Sequence, residues 1–277
     1  QGAKPHIFYL TQVGSLHDER FLLKLRDNGY PVTYVSLAKT RNTQIEGVQL
    51  HSLGLPQGSG ISDGIRRYLG TATAIFRARR LITKTQPDII HSGIVTTAGL
   101  VAALSGFRPH ISMPWGSDIL IQSQQSRVRR WIARYSLNRA NLITCDAESV
   151  KSRILEIAPR NSDDITVFPW GVNLDIFKPD PLARAKTRQI FGFDENAEVM
   201  ITTRWLDALY GVGDFIRALP RVFEQRPNAA ALIVGSGSQR EQLESLTHSL
   251  GIADRVKFAG PVSNNDLPQY LNAADLY

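Results

Sequence analysis

The sequence has little cysteine: Cys145 is the only one among 277 residues. One cysteine cannot form an internal disulfide, which excludes the disulfide-stapled class of small secreted domains and indicates a cytoplasmic location. Cys145 ends the apolar run 142–145, which predicts a buried strand whose thiol packs rather than reacts.

Long apolar runs are also absent. No stretch approaches the roughly 20 apolar residues that a membrane-spanning helix needs. Residues 1–5 lead directly into an apolar strand without a signal peptide, so we expect a trimmed terminus. The hydrophobic fraction of 43% can fill real cores, and 277 residues favour two domains over one.

Clusters of metal-binding residues are missing as well. The six histidines are scattered and no second cysteine accompanies them, so the sequence predicts no metal site. The basic residues at 66–84 lack the pattern of interleaved aromatic residues that a stacking surface needs, which argues against nucleic acid as a partner.

Positive charge is concentrated in the first part of the chain. Residues 1–178 contain 22 Lys and Arg against 13 Asp and Glu, whereas residues 179–277 contain 10 against 12. Two interpretations stay open: an anionic lipid surface as partner, or basic side chains that merely face water. The side chains concerned on the long helix predicted at 63–85 are Arg66, Arg67, Arg77, Arg79, Arg80 and Lys84.

Apolar β-rich runs alternate with helical patterns along the whole chain, which predicts an α/β fold with parallel sheets wrapped by helices. Residues 169–179 have the composition of a linker, so we place a domain boundary near residue 175. The predicted domains are 1–175 and 176–277. Residues 273–277 look like entry into one more strand, so we expect the second domain to be incomplete.

Several segments, taken in order, resemble the group 1 (family 4) retaining glycosyltransferases of the GT-B fold. The segments are 8–35 with Asn28-Gly29-Tyr30-Pro31-Val32, Pro87-Asp88-Ile89-Ile90-His91, Pro114-Trp115-Gly116-Ser117-Asp118, Trp170-Gly171-Val172-Asn173, Thr203-Arg204 through Tyr210-Gly211-Val212, Gly235-Ser236-Gly237 and Val256 to Gly260. The specificity lies in the ordered set, which covers nearly the whole chain.

The resemblance implies two Rossmann-like domains facing each other across a cleft, the first for the acceptor and the second for the donor. It implies a hexosyltransferase that moves a sugar from a nucleotide-diphosphate sugar to a glycan or lipid-linked acceptor, with retention, without a metal and without a cofactor. Polysaccharide or lipopolysaccharide biosynthesis, in the cytoplasm or peripherally at the inner membrane surface, fits this reading.

Three departures from the family pattern matter. The family's pair of glutamates separated by seven residues belongs to the donor domain and is absent from residues 176–277, so this chain alone is not expected to hold a complete donor site. Many relatives carry His where this chain has Trp115, and Lys where it has Tyr210. Two alternatives therefore stay open: a nucleotide-sugar epimerase or phosphorylase on the same fold, and a catalytically silent module that binds glycan or a partner chain.

Arg204 is the principal donor-side candidate. It follows a predicted strand, and its guanidinium can bind a leaving phosphate with two hydrogen bonds. The alternative is an ion pair with Asp207. Tyr210 can donate one hydrogen bond to the donor, or serve as a packed ring at a helix start.

Glycine-containing loops supply the other donor-binding candidates. Gly14 and Ser15 precede a helix whose N-terminus attracts anions. Gly235 and Gly237 form half of a dinucleotide-binding fingerprint, and the alternative is that they only let a helix and a strand pack closely.

The acceptor-side candidates are His17, His91 and Trp115, with Asp118 as a catalytic candidate. Asp118 can orient the acceptor hydroxyl or accept its proton. The alternative for Asp118 is a helix cap.

Overall fold

The computed structural model describes residues 2–12, 15–38, 45–55 and 63–277, and for residues 16 and 63–69 it describes the backbone alone. The chain divides into two compact units, residues 1–170 and 171–277. No described helix combines the length and the apolar character needed to cross a bilayer.

Strands and helices alternate in unit 1. The strands are β1 (Ile7–Thr11), β2 (Val32–Ala38), β3 (Gln49–Leu55), β4 (Ile89–Gly93), β5 (His110–Met113), β6 (Leu142–Cys145) and β7 (Ile165–Val167). The helices are α1 (Leu16–Asp27), α2 (Asp63–Thr85), α3 (Ala98–Ser105), α4 (Ser117–Leu120), α5 (Arg127–Arg139) and α6 (Glu148–Ile157). Two short 3-10 helices, Gln122–Gln124 and Ser162–Asp164, complete the described elements of this unit.

The seven strands of unit 1 form one parallel sheet in the order β3-β2-β1-β4-β5-β6-β7. Every residue of β1 and β2 is buried, as expected for central strands covered by helices on both faces. Cys145 is buried in β6, as predicted, and burial raises the pKa of its thiol. Because all strands run the same way, the loops that follow them meet at one edge of the sheet.

Unit 2 repeats the alternation on a smaller scale. It contains α7 (Pro181–Phe191), β8 (Glu198–Thr202), α8 (Val212–Gln225), β9 (Ala229–Val234), α9 (Arg240–Ser249), β10 (Val256–Gly260) and α10 (Leu267–Ala273). The strands form a parallel sheet in the order β10-β9-β8. Leu276 adds an isolated parallel bridge to Met200 of β8. Both units therefore confirm the predicted Rossmann-like α/β fold.

Helix α7 lies in a segment that the sequence interpretation left without an element. Asp180 caps its N-terminus by accepting hydrogen bonds from the backbone N–H groups of residues 182 and 183, at 3.0 Å each. Arg188 of this helix is buried and pairs with Asp275 at 2.7 Å. Asp275 also accepts the backbone N–H of Val199 at 2.8 Å, so Arg188 and Asp275 hold the last residues of the chain beside β8.

Candidate functional site

Arg204 lies just after β8 in unit 2, and its side chain is exposed. Within the described part of the chain its guanidinium has no hydrogen-bond or ion-pair partner. The alternative partner, Asp207, is occupied elsewhere: its carboxylate accepts hydrogen bonds from Ser238, from Oγ at 2.6 Å and from the backbone N–H at 2.9 Å. These hydrogen bonds lower the pKa of Asp207. Arg204 therefore forms no ion pair with Asp207.

A cavity of about 350 Å³ in unit 2 brings Arg204 and Tyr210 together. Gly211 and Val212, where α8 begins, line the same cavity. The start of a helix carries partial positive charge and N–H groups without intrahelical acceptors, which favour an anion. Tyr210 is 41% exposed, so its hydroxyl is accessible to a ligand. The cavity thus combines a guanidinium, a helix N-terminus and a phenol.

Gly235 and Gly237 pack closely against the backbone of residues 204–206. A Cβ atom on Gly235, whose φ is 146°, would lie 2.2 Å from the carbonyl oxygen of Arg204. A Cβ atom on Gly237 would lie 2.5 Å from the carbonyl group of Leu206. Leu206 in turn donates its backbone N–H to the carbonyl of Ser236 at 2.9 Å. The structure therefore gives both glycines a close-packing role beneath the Arg204 loop.

The N-terminus of α1 carries a capping box. The Ser15 hydroxyl accepts the backbone N–H of Asp18 at 3.1 Å, and the Asp18 carboxylate accepts the backbone N–H of Ser15 at 3.0 Å. Gly14, the other residue predicted for this site, lies outside the described residues.

Asp18 is a buried carboxylate that the sequence interpretation missed. It is 1% exposed and also accepts hydrogen bonds from the hydroxyls of Tyr9 (3.0 Å), Thr11 (3.3 Å) and Ser15 (2.8 Å). Burial raises the pKa of Asp18, and these hydrogen bonds oppose the rise. Serine followed three residues later by an acid at a helix start was the available signal. A carboxylate in this first turn disfavours a second anion there. The diphosphate site at Gly14 and Ser15 stays a prediction, and the negative charge of Asp18 argues against it.

An aromatic cluster gathers the predicted acceptor-side residues at the carboxyl edge of the unit 1 sheet. The His17 ring meets Trp170 at 4.2 Å and Trp115 at 5.6 Å between centroids, and the two indoles meet at 5.1 Å. His91 reaches the cluster through Phe21, at 6.2 Å. All four contacts are edge-to-face, the arrangement that aromatic quadrupoles favour. Sequence reasoning had placed Trp170 in the linker and missed its part in this cluster.

Polar atoms without protein partners accompany the cluster. Among the described residues, Nε2 of His91, Nε1 of Trp115 and Oδ1 of Asp146 are buried and accept or donate no hydrogen bond. Burial lowers the pKa of His91 to about 4, so its imidazole is neutral at pH 7. Burial and Arg20 also lower the pKa of His17, while Asp146 acts in the opposite direction. Neutral ring nitrogens beside aromatic faces can bind hydroxyl groups of a polyol.

Asp118 lies beneath the Trp115 loop and is only 1% exposed. Its two carboxylate oxygens accept backbone N–H groups, from Val95 at 2.7 Å and from Trp115 at 2.9 Å. Burial raises the pKa of Asp118. Asp118 therefore ties the loop of Val95 to the loop that carries Trp115, and a contact of its carboxylate with an acceptor hydroxyl stays a prediction. Gly93 contributes from β4, since a Cβ atom there would lie 2.6 Å from Nε1 of Trp115.

Comparison with known sequences decides the family. Residues 6–147 match the family described as glycosyl transferase 4-like, and residues 183–277 match glycosyl transferases group 1. The chain belongs to this glycosyltransferase family. The ordered motifs had predicted that assignment, and the match confirms it.

Curated relatives of this chain include two mycobacterial enzymes named GDP-mannose-dependent alpha-(1-6)-phosphatidylinositol monomannoside mannosyltransferase. The Mycobacterium tuberculosis enzyme is 30% identical over 214 residues, which cover 74% of this chain and 53% of the relative. The Mycolicibacterium smegmatis enzyme is 29% identical over 208 residues, with the same shares covered. The chain spans about half the length of the curated relatives it matches.

A solved structure shares the fold. Anabaena HepE, solved in complex with UDP and glucose, superposes with a TM-score of 0.75 at 21% identity, covering 98% of this chain and 73% of HepE. This likeness confirms the GT-B fold.

The residues predicted for the site thus fall into three groups. Arg204 and Tyr210 share a cavity in unit 2, and His17, His91 and Trp115 share an aromatic cluster in unit 1. The residues that support these side chains from below are Asp118, Gly235 and Gly237.

Proposed function

We propose that this glycosyltransferase transfers a hexosyl unit from a nucleotide-diphosphate sugar, bound by unit 2, to an acceptor bound by unit 1. The observation that carries the proposal is the cavity where the unpaired Arg204 guanidinium meets the N-terminus of α8. Both groups are positive and line the same cavity, which suits a diphosphate.

The chemistry that Arg204 supports is departure of the nucleoside diphosphate. As the bond between sugar and phosphate breaks, negative charge grows on the leaving oxygen, and a positive group fixed beforehand stabilises that charge without reorganising. Tyr210 adds a neutral hydrogen-bond donor to the same cavity. We propose that transfer proceeds with retention, as in the family that the motifs resemble.

The acceptor that fits the aromatic cluster is a ring bearing hydroxyl groups. The partly exposed rings of Trp115 and Trp170 offer apolar surface to the C–H face of such a ring, and the partly exposed imidazole of His17 can exchange a hydrogen bond with a hydroxyl group. The mycobacterial relatives are named for a phosphatidylinositol monomannoside acceptor and a GDP-mannose donor. These names support a lipid-linked acceptor and a hexose donor for this protein.

The test uses the full-length protein. Thermal unfolding is measured with GDP-mannose, UDP-glucose and their free diphosphates, because a ligand that binds the folded state raises the midpoint. Transfer or hydrolysis of the sugar that stabilises most is then measured for the protein and for Arg204→Ala. We expect Arg204→Ala to lose turnover by at least 100-fold, the scale of one removed transition-state donor, and to keep its unliganded midpoint. Unchanged turnover in Arg204→Ala would refute the proposal.

A further inference from the structure

Helix α5 presents apolar side chains on the side where a surface helix is normally polar. Val128 is 56% exposed and Trp131 is 61% exposed. The Trp131 ring stacks on Tyr135 with centroids 5.5 Å apart and planes 18° from parallel. These three residues are spaced three and four apart, so they follow one stripe along the helix.

The opposite side of α5 faces the core of unit 1. Ala133, Ser136 and Leu137 are buried there. At 3.6 residues per turn, the stripe of Val128, Trp131 and Tyr135 lies on the far side of the helix from these buried residues. The stripe is therefore outermost, and burial against the sheet does not explain it.

Arginines flank this apolar stripe and no acid balances them. The arginines of α5 are Arg127, Arg129, Arg130, Arg134 and Arg139. No Asp or Glu occurs between Asp118 and Asp146. Arg129 bonds the side chain of Gln125, and Arg139 lies over the Tyr135 ring at 5.6 Å. Arg127, Arg130 and Arg134 are exposed and have no partner within the described part of the chain.

The basic helix that the sequence singled out, α2, differs in what its arginines do. Arg77 donates to the carbonyl of Leu53 at 2.6 Å, and Arg79 donates to the carbonyl of Leu104 at 2.7 Å. These guanidinium groups hold α2 to its neighbours. On the described part of α2, Arg80 and Lys84 are the basic residues left exposed without a partner, against Arg127, Arg130 and Arg134 on α5.

We propose that α5 docks on a bilayer surface that contains anionic lipids. Val128 and Trp131 would enter the boundary between headgroups and acyl chains, and Arg127, Arg130 and Arg134 would contact lipid phosphates. Exposed indole rings favour that boundary because they have an apolar body and a polar N–H. Nucleic acid would use the arginines but leaves the exposed Val128 unexplained.

The placement of α5 suits a lipid-linked acceptor, and in this respect the inference rests on the proposed function. β5 ends at the sheet edge where Trp115 lies, and α5 then returns along the sheet before β6. In such a crossover the helix runs antiparallel to the strands, so the Arg127 end of α5 lies toward the edge that carries the aromatic cluster. A bilayer at α5 therefore brings lipid headgroups to that edge.

The test is flotation of the full-length protein with vesicles of phosphatidylcholine alone or with 30% phosphatidylglycerol. Two triple variants are compared: Arg127→Gln with Arg130→Gln and Arg134→Gln, and a control, Lys24→Gln with Arg80→Gln and Lys84→Gln. The control removes the same charge from exposed positions of α1 and α2. A single variant, Trp131→Ser, tests the apolar contribution.

We expect binding to the anionic vesicles alone, weakened by salt. The α5 triple should lose on the order of 100-fold in partitioning, because each basic residue near an anionic surface contributes about fivefold. Trp131→Ser should weaken binding at high salt, and the control triple should stay within about threefold of the parent. Thermal shifts with sugar nucleotides should be unchanged in all these variants, which separates this inference from the donor proposal.

Three outcomes overturn the inference. They are absence of binding to anionic vesicles, equal losses in the two triple variants, and vesicle binding that single-stranded RNA displaces completely while Trp131→Ser has no effect. A protein that binds vesicles through α5 and yet shows no thermal shift with any sugar nucleotide would leave this inference standing and refute the proposed function.

Discussion

The arginines of unit 2 differ in what their guanidinium groups contact. Arg188 donates to backbone carbonyls and to Asp275, and Arg184 also binds Asp275. Arg255 donates to the carbonyls of residues 226, 227 and 229. Those side chains hold the fold together. Arg204 instead points its charge at a cavity, and that difference is the reason to assign it a ligand.

Gly235 offers a test of whether the loop under Arg204 matters. Gly235→Ala would place a Cβ atom 2.2 Å from the Arg204 carbonyl oxygen, so the backbone that carries Arg204 must shift. We expect affinity for the nucleoside diphosphate, measured by titration calorimetry, to fall at least tenfold.

The matched control for that variant is Gly251→Ala. Gly251 has a φ of 69° and open space around it, so an alanine there introduces backbone strain of about 1 kcal/mol without a collision. We expect it to lower stability and keep nucleotide affinity. Equal affinity losses in the two variants would show that the collision with Arg204 is irrelevant.

Buried histidines make unit 1 sensitive to acid. Burial lowers the pKa of His91 and of His110 to about 4, from 6.5. Between these values the unfolded chain binds protons that the folded chain does not, so stability is full above pH 6.5 and falls as the pH drops toward 4. Each histidine contributes up to about 1.4 kcal/mol per pH unit to that fall.

His91→Phe separates this effect from the titration of other groups. The phenyl ring can keep the edge contacts with Tyr9 and Phe21, and no hydrogen bond of His91 is lost among the described residues. In urea unfolding of the protein, we expect the slope of stability against pH between 4 and 6.5 to decrease by about 1 kcal/mol per unit. Identical slopes in the two proteins would contradict a lowered pKa of His91.

At the scale of elements, the N-terminus of α1 contributes to stability and argues against the diphosphate site predicted at Gly14 and Ser15. The side chains of Ser15 and Asp18 accept each other's backbone N–H groups at the start of α1. Ser15→Ala should lower the free energy of unfolding by about 1 kcal/mol, whereas Ser15→Thr should keep most of it. Because Asp18 already supplies negative charge there, we expect nucleotide affinity to stay within about twofold. A tenfold loss of affinity in Ser15→Ala would restore the diphosphate site at Gly14 and Ser15.

Most elements could be predicted because hydrophobic periodicity is strong where an element packs on a sheet. The predicted helix at 63–85 and the predicted strand at 142–145 agree with α2 and β6. Helix α7 was missed since its sequence is largely polar and follows a proline-rich segment. Its signals were the caps: Asp180 before Pro181 at the start, and Gly192 with a φ of 67° at the end.

Site residues could be predicted only where a strand end marks them. Arg204 follows β8 directly, so its position at a ligand-binding edge was predictable. Trp170 and Asp146 were not, since their approach to His17 depends on strand order across the sheet rather than on spacing along the chain. Asp118 is the opposite case. The sequence interpretation singled it out as a candidate, and only the structure shows that its carboxylate accepts backbone N–H groups.

At the scale of the whole molecule, charge and chemistry are divided between the units. The excess of basic residues lies in unit 1, where Arg127, Arg130 and Arg134 of α5 have no partner among the described residues, while the cavity with Arg204 lies in unit 2. A glycosyltransferase that acts on a lipid-linked acceptor needs both a membrane-facing surface and a diphosphate site. The proposal assigns these two needs to different units.

The most direct test of the central claim is calorimetric titration of GDP and of UDP into the full-length protein and two variants. Arg204→Ala removes the guanidinium that lines the cavity, and Arg221→Ala removes an exposed charge from the last turns of α8. We predict that one diphosphate binds, that Arg204→Ala weakens it by at least tenfold, and that Arg221→Ala leaves it within about twofold. Equal affinity of the parent protein and Arg204→Ala would contradict the claim that this guanidinium binds the donor's diphosphate.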